Sequence, residues 1–254
     1  MARRNSGRGF GIDIGGSGIK GAPVDLKKGE LAAERVRIET PKDSTPENVI
    51  DVVLEVVSKF DWKQPFGCAF PGVVHHGVIR SAANLDKSWI GVDLQSELRQ
   101  QTGQPVVVVN DADAAGFAEG RFGAAAGVDG VVVLTTLGTG IGSAVLLDGA
   151  LLPNTEFGHI YLEGGREAEE YAGASVREEK DLSWATWARR LQKYYAHLEF
   201  VLSPELFVVG GGVSKKADKF LPLLDLQTPI VPAKLLNDAG IIGAALLVEE
   251  GAPE

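Results

Sequence analysis

Cysteine is nearly missing: Cys68 is the single one among 254 residues. That excludes an internal disulfide and a multi-cysteine zinc site. Its place in the apolar run Phe66-Gly-Cys-Ala-Phe70 suits packing rather than reactivity. Long hydrophobic runs are missing too, since no apolar stretch approaches the ~20 residues that cross a bilayer. The N-terminal MARRNSGRG has basic residues with no apolar segment behind them, unlike a secretory signal. It reads as a short flexible lead, and a cytoplasmic protein is expected. Positive charge is short: 25 Lys and Arg against 34 Asp and Glu leave a net charge of −9. General affinity for nucleic acid is therefore not expected, and a polyanionic substrate would have to meet a local basic patch. No Walker A sequence occurs, so this is not a P-loop enzyme.

Glycine, by contrast, is abundant at 32 residues, which points to many tight turns or backbone-lined sites. The most informative stretch is Phe10 to Lys20, FGIDIGGSGIK. An apolar strand carries Asp13 and breaks into Gly15-Gly16-Ser17-Gly18 before Lys20. Glycines let backbone N–H groups approach phosphate oxygens, and a carboxylate can hold a magnesium ion or its waters. Taken alone, the same stretch also reads as an ordinary hairpin turn. A second cluster, Thr135-Thr136-Leu137-Gly138-Thr139-Gly140-Ile141-Gly142, follows an apolar run. A dinucleotide fingerprint would need a helix directly after it, yet Ser-Ala-Val-Leu-Leu-Asp-Gly reads as a strand and turn. A hairpin presenting N–H groups and hydroxyls to phosphate fits better.

The element pattern is α/β. Phe10–Gly15, Gly21–Asp25 and Glu34–Glu39 read as consecutive antiparallel strands. A helix starts at Ser44-Thr45-Pro46-Glu47 with a hydroxyl cap, and carries Val49, Val52, Val53, Val56, Val57 and Phe60 on one face. Phe66–Phe70 and Pro105–Val109 read as buried parallel strands. The second half repeats the plan: strands over 130–137 and 143–147, a helix from Trp184 to Leu202, a strand Leu206–Gly210, and a closing helix Ala239–Val248. Two domains are expected: 1–110, to which a helix at about 238–254 returns, and 111–237. A crevice between two such halves is a natural ligand site.

Three further clusters carry chemistry. Asn110-Asp111-Ala112-Asp113 follows a strand, where a carboxylate faces the ligand crevice of an open α/β sheet. Asp111 can accept a hydroxyl proton as oxygen attacks phosphorus, with Asn110 on a neighbouring hydroxyl. The alternative is that Asn and Asp merely cap the next helix. Asn154-Thr155-Glu156-Phe157-Gly158-His159, with Glu163 and Glu169 beyond, supplies planar polar groups suited to sugar hydroxyls. His75 and His76, in a turn, read as structural. Val209-Gly210-Gly211-Gly212 lets a phosphate chain lie against backbone, and Lys215, Lys216 and Lys219 follow it.

These elements, in this order, resemble the ROK family of sugar kinases. The matching residues are Asp13-x-Gly-Gly-Ser-x-x-Lys20, Asn110-Asp111-Ala-Asp113, Leu137-Gly-Thr-Gly-x-Gly142, Glu156-x-Gly-His159 and Val209-Gly-Gly-Gly212. The resemblance implies a two-lobed actin-like ATPase (ribonuclease H-like) fold with its active site in the interdomain cleft, usually as a homodimer. It implies Asp111 as the catalytic base and Asn84, Asn110, Glu156, His159 and Glu169 as sugar contacts. Donor contacts would come from Asp13, Gly15, Gly16, Ser17, Lys20, Thr136, Gly138, Thr139, Gly140 and Gly210 to Gly212, with Asp13 orienting Mg2+ through water. Most of the family carries a Cys-x-Cys-Gly-x-x-Gly-Cys zinc loop after the histidine. Glu163-Gly-Gly-Arg-Glu-Ala-Glu-Glu-Tyr171 stands there instead, so no zinc is expected. Phe70-Pro-Gly-Val-Val, Ala83-Asn-Leu-Asp-Lys-Ser-Trp89 and Asp181-Leu-Ser-Trp184 resemble the branch that phosphorylates glucose, in some members also mannose, from inorganic polyphosphate and often ATP.

Two other readings stand beside this one. A sugar-sensing repressor would need a DNA-binding domain before Phe10, where nine residues stand, and the net charge opposes it. An ATP-only hexokinase would use the same phosphate turns. A polymer would need a basic track, for which Lys215, Lys216, Lys219 and Lys87 are candidates. It should avoid Glu163–Asp181, with seven acids against three bases.

Overall fold

The computed structural model describes residues 7–82, 85–162 and 164–250. The chain divides into two units, one of residues 1–118 and 238–254, the other of residues 119–237. The division falls inside a helix, after Ala118, rather than at the helix start expected from the sequence.

In the first unit β1 (Arg8–Ile14) turns back into β2 (Ile19–Asp25), and both β3 (Glu30–Leu31) and β4 (Val36–Ile38) pair antiparallel with β2. The third strand expected over 34–39 forms as β4, shortened to Val36–Ile38, and β3 is an additional short strand before it, with a gap over 32–35. Pro23 explains the gap: it has no N–H to give, and only its carbonyl is used there, accepting from Ala32. Helix α1 (Pro46–Lys59) begins with proline in its first turn and buries Val49, Val53, Val56 and Val57. Its expected hydroxyl cap does not form. The Thr45 side chain makes no cap hydrogen bond, and Ser44 Oγ instead accepts from the Asp86 N–H.

Parallel strand β5 (Phe66–Phe70) follows, then the small hairpin β6 (Val74–His75) and β7 (Val78–Ile79), α2 (Leu94–Thr102), β8 (Val106–Asn110) and α3 (Asp111–Phe122). The sheet order is β3-β2-β1-β5-β8, with β1, β5 and β8 parallel.

The second unit repeats this order. Strands β9 (Val131–Leu137), β10 (Ile141–Leu147) and β11 (Ala150–Leu152) form an antiparallel meander. The hairpin β12 (Tyr161–Leu162) and β13 (Arg166–Glu167) leads into α4 (Ala168–Ala172), α5 (Ala174–Glu179) and α6 (Trp184–Leu202). Strands β14 (Leu206–Gly210) and β15 (Ile230–Pro232) then join β9 in parallel, giving the order β11-β10-β9-β14-β15. The core under this sheet is aromatic, with Trp187, Tyr194, Tyr195, Phe207 and Phe220 fully buried.

The closing helix α7 (Ala239–Glu250) belongs to the first unit and lies against β1 and β5. Its approach is backbone on backbone. A Cβ at Gly11 would sit 1.8 Å from the Ile241 carbonyl oxygen, and one at Gly67 would sit 1.8 Å from that of Ala244. Among the described residues, no helix is long and apolar enough to cross a membrane.

Candidate active site

Antiparallel pairing sets Asp13 opposite Lys20, and the two meet at 3.0 Å between Oδ2 and Nζ. The Lys20 ammonium, expected as a donor contact, is thus engaged by Asp13. The turn between them closes with the Gly15 N–H donating to the Gly18 carbonyl at 3.1 Å. Its carbonyls are tied back: Thr40 Oγ1 donates to the Gly15 oxygen (2.5 Å), and Arg37 Nη2 donates to the Ser17 oxygen (2.7 Å). The N–H groups of Gly16 and Ser17 take no partner among the described residues, as an anion-binding turn requires. Asp13 Oδ1 is likewise outside the Lys20 contact, and a hard carboxylate oxygen of this kind fits a magnesium ion held through water. Arg37 was missed by sequence reasoning, although its register opposite Lys20 places it on the same short ladder. Beneath the turn, burial pushes the Cys68 thiol up and Asp13 adds to the effect, in keeping with a packing role.

Asn110 ends β8 and Asp111 opens α3. The Asn110 Oδ1 accepts the Asp113 N–H at 3.0 Å, while its Nδ2 donates to the Gly72 carbonyl at 3.1 Å. Asn110 is therefore the group that caps the helix; Asp113 supplies the N–H it accepts and is buried. One Nδ2 hydrogen remains for another acceptor. Asp111 Oδ1 accepts the neighbouring Ala112 N–H at 2.8 Å, and its side chain is half-buried. Asn84 and Glu163 lie outside the described residues.

In the second unit, the turn between β9 and β10 closes with the Gly138 N–H donating to the Gly140 carbonyl at 3.0 Å. Helix α5 is fastened to it: the Ser175 N–H donates to the Gly138 oxygen (3.1 Å) and Ser175 Oγ to the Thr139 oxygen (2.7 Å). Gly211 adopts φ +81°, and a Cβ there would lie 2.3 Å from the Leu137 carbonyl oxygen. The glycine run after β14 thereby packs directly on the turn after β9. Thr136 pairs with Gly210 in the same ladder, so both expected phosphate segments of this unit are adjacent.

The carboxylates gather beside this turn. Gly158 explains the Glu-x-Gly-His spacing, because a Cβ there would lie 2.1 Å from the Ile141 carbonyl oxygen. That close seat brings Glu156 Oε2 within 3.7 Å of His159 Nε2. Glu169 accepts the Ile141 N–H through Oε2 (3.2 Å), while its Oε1 lies 3.7 Å from His159 Nδ1. The nearest partner of the ring is a residue the sequence did not single out: Glu167 Oε2, 2.8 Å from Nδ1. Where the zinc loop would stand, the short β12–β13 hairpin turns through Gly164 and Gly165 at positive φ and returns Glu167 to the histidine. Its hydrogen bond is the main reason His159 sits above the ordinary imidazole pKa, and the same bond holds Glu167 below the usual carboxylate range. Desolvation raises Glu156, offset in part by His159. His159, Glu167 and Glu169 each offer one ligand atom, all within 4.8 Å of one another. Exposed acidic groups commonly gather in this way without an ion, and the Glu167 hydrogen bond accounts for the arrangement.

Of the expected track lysines, Lys216 lines a pocket beside the Gly138 turn and Lys219 Nζ lies 5.7 Å from the Trp184 ring. Lys215 is exposed, and Lys87 Nζ, in the other unit, donates to the Ala82 carbonyl at 2.6 Å.

Comparison with known proteins gives this arrangement a lineage. A sequence model of the ROK family matches residues 9–178. The polyphosphate glucokinase of Mycobacterium tuberculosis (strain CDC 1551 / Oshkosh) is 52% identical over 94% of this chain and 90% of that protein. The inorganic polyphosphate/ATP-glucomannokinase from Arthrobacter sp. strain KM superposes with a TM-score of 0.93 at 52% identity, covering 96% of this chain and 99% of that one. A ROK family glucokinase from Streptomyces griseus, solved with glucose and AMPPNP, gives 0.80 at 26% identity, covering 96% and 100%. The α/β fold is that of the ROK sugar kinases, the actin-like ATPase class. The chain belongs to the ROK family.

Proposed function

We propose that this chain transfers the terminal phosphoryl group of inorganic polyphosphate, and also of ATP, to the 6-hydroxyl of glucose, with mannose as a second acceptor. The observation that carries the reading is 52% identity, over 94% of the chain, to a polyphosphate glucokinase. The chemistry assigned to each group follows from its type and place. Asp111 accepts the sugar hydroxyl proton as the new O–P bond forms and the bridging P–O bond breaks. The donor leaves one phosphate shorter, or as ADP. The N–H groups of Gly16 and Ser17, and in the second unit those of Thr139 and Gly140, are the backbone donors assigned to the charge that develops on the donor phosphates. Asp13 would hold Mg2+ through water, where the ion supplies further charge neutralisation. Asn84, Asn110, Glu156, His159 and Glu169 bind the sugar, and His159 does so without zinc, held by Glu167 instead. The reading includes a cytoplasmic homodimer, for which sedimentation would return twice the chain mass.

The test is hexose phosphorylation by the purified protein with magnesium and each donor in turn, alongside Asp111→Asn. Removing the base should lower kcat by about 10²- to 10⁴-fold with either donor. Activity with ATP alone would leave an ATP-only hexokinase, and silence of the folded protein with both donors a sugar-binding protein.

A further inference from the structure

A pocket of about 310 Å3 opens in the second unit beside the turn at Leu137, Gly138 and Thr139. Arg177, Trp184, Gly212 and Lys216 line the rest of it, with the exposed Glu178 at the side. Arg177 is held in an unusual state for a cation. Its Cζ stands 3.8 Å from the centre of the Trp184 ring, and its Nε is buried without a hydrogen-bond partner. Neither Arg177 nor Lys216 forms an ion pair among the described residues, Glu178 included. Arg177 lines the pocket, and a guanidinium is the side chain best shaped for phosphate oxygens. Its position is fixed relative to the phosphate turn, because Ser175, two residues earlier, is bonded to both Gly138 and Thr139. The Trp184 ring is already engaged, by Arg177 and by Phe220 stacked at 6.0 Å and 12°. It is not offered to a purine base. A cationic wall without a vacant aromatic face suits repeated phosphates better than a nucleoside.

We propose that this pocket seats the phosphates of a polyphosphate chain that follow the transferred one, and that Arg177, clamped over Trp184, is a donor-specificity residue with Lys216 as its partner. The proposal rests on the polyphosphate reading above. It assigns a binding role to a residue inside the acidic stretch that a polymer would be expected to avoid.

The experiment measures KM and kcat for long-chain polyphosphate, tripolyphosphate and ATP with wild type, Arg177→Gln and Lys216→Gln, using Lys28→Gln, an exposed lysine of the first unit, as control. Calorimetric titration with long-chain polyphosphate runs alongside. Loss of a charge-assisted contact should raise KM for long polyphosphate roughly tenfold in Arg177→Gln and about threefold in Lys216→Gln. ATP and tripolyphosphate should move less, and Lys28→Gln should move none of them. Lys216 is exposed, so its variant tests the pocket even if loss of the Trp184 stack unfolds the arginine variant. Equal increases for all donors, or no increase in either variant, would overturn the proposal. If wild type uses polyphosphate and both variants match it, this inference alone fails. If wild type neither binds nor uses polyphosphate, the parent reading fails with it. Binding without turnover that weakens in the variants would uphold the pocket.

Discussion

At the scale of single residues, His159 shows what one hydrogen bond does to a site. Glu167 lies 2.8 Å from its Nδ1 and raises the ring's pKa, while partial desolvation opposes the rise. A group whose pKa is raised on folding contributes stability that is complete below its unfolded value, about 6.5 for imidazole, and is lost as pH climbs through the raised value. Glu167→Gln should therefore bring the His159 titration, followed by ring-proton NMR, back toward the ordinary value. The melting-temperature gap between wild type and variant should be wider at about pH 6 than at about pH 9. An unchanged titration would show that Glu167 does not set the ring's charge. Sequence reasoning singled out Glu156 and His159 through the Glu156-x-Gly-His159 motif, and Glu169 through the family resemblance. It missed Glu167 because that residue reaches the ring only after the β12–β13 hairpin turns back. Asn110 was legible in type but not in partners: its Oδ1 caps α3, the alternative raised by its sequence, while its Nδ2 keeps one hydrogen for a further acceptor.

At the scale of elements, apolar spacing made the parallel strands and the long helices readable, because burial on a face leaves a periodic trace. The third strand was legible and forms as β4, but the short β3 before it was not. The gap between the two faces Pro23 in the neighbouring strand, a pairing that spacing does not reveal. Glycines separate two kinds of tight structure here. Gly67 meets the Ala244 backbone, which cannot yield as a flexible side chain does. Gly67→Ala should cost about 3 kcal/mol or more in urea unfolding, at or above the upper end for overpacking. Gly138 faces open space, with nothing within 4 Å of a built Cβ. Gly138→Ala should leave the unfolding free energy in urea within about 0.5 kcal/mol of wild type yet raise the donor KM several-fold, since the added methyl stands where phosphate must approach backbone. A large stability loss at Gly138, or none at Gly67, would reverse the roles assigned to the two positions.

At the scale of the whole molecule, a chain of net charge −9 is asked to hold a polyanion. Distance decides the contest. A contact between unit charges at 4 Å is worth about 1 kcal/mol in water and about 4 kcal/mol at the lower effective dielectric near a protein surface. A like charge ~20 Å away opposes by only about 0.2 kcal/mol before screening, and salt at 0.1 M, with a Debye length of about 10 Å, removes most of that. A few placed cations such as Arg177 and Lys216 therefore outweigh the diffuse repulsion of the remaining surface. The two terms respond to salt with opposite sign: screening weakens local attraction but also relieves the repulsion. If local contacts dominate, KM for long polyphosphate should rise steadily between about 0.05 and 0.2 M KCl, more steeply than KM for ATP, because more charges are neutralised along the longer donor. The slope should flatten in Arg177→Gln, which has one fewer cation to screen. A KM that falls as salt is added would mean that net repulsion governs binding, and polymer capture would then have to rest on backbone donors rather than on charged side chains.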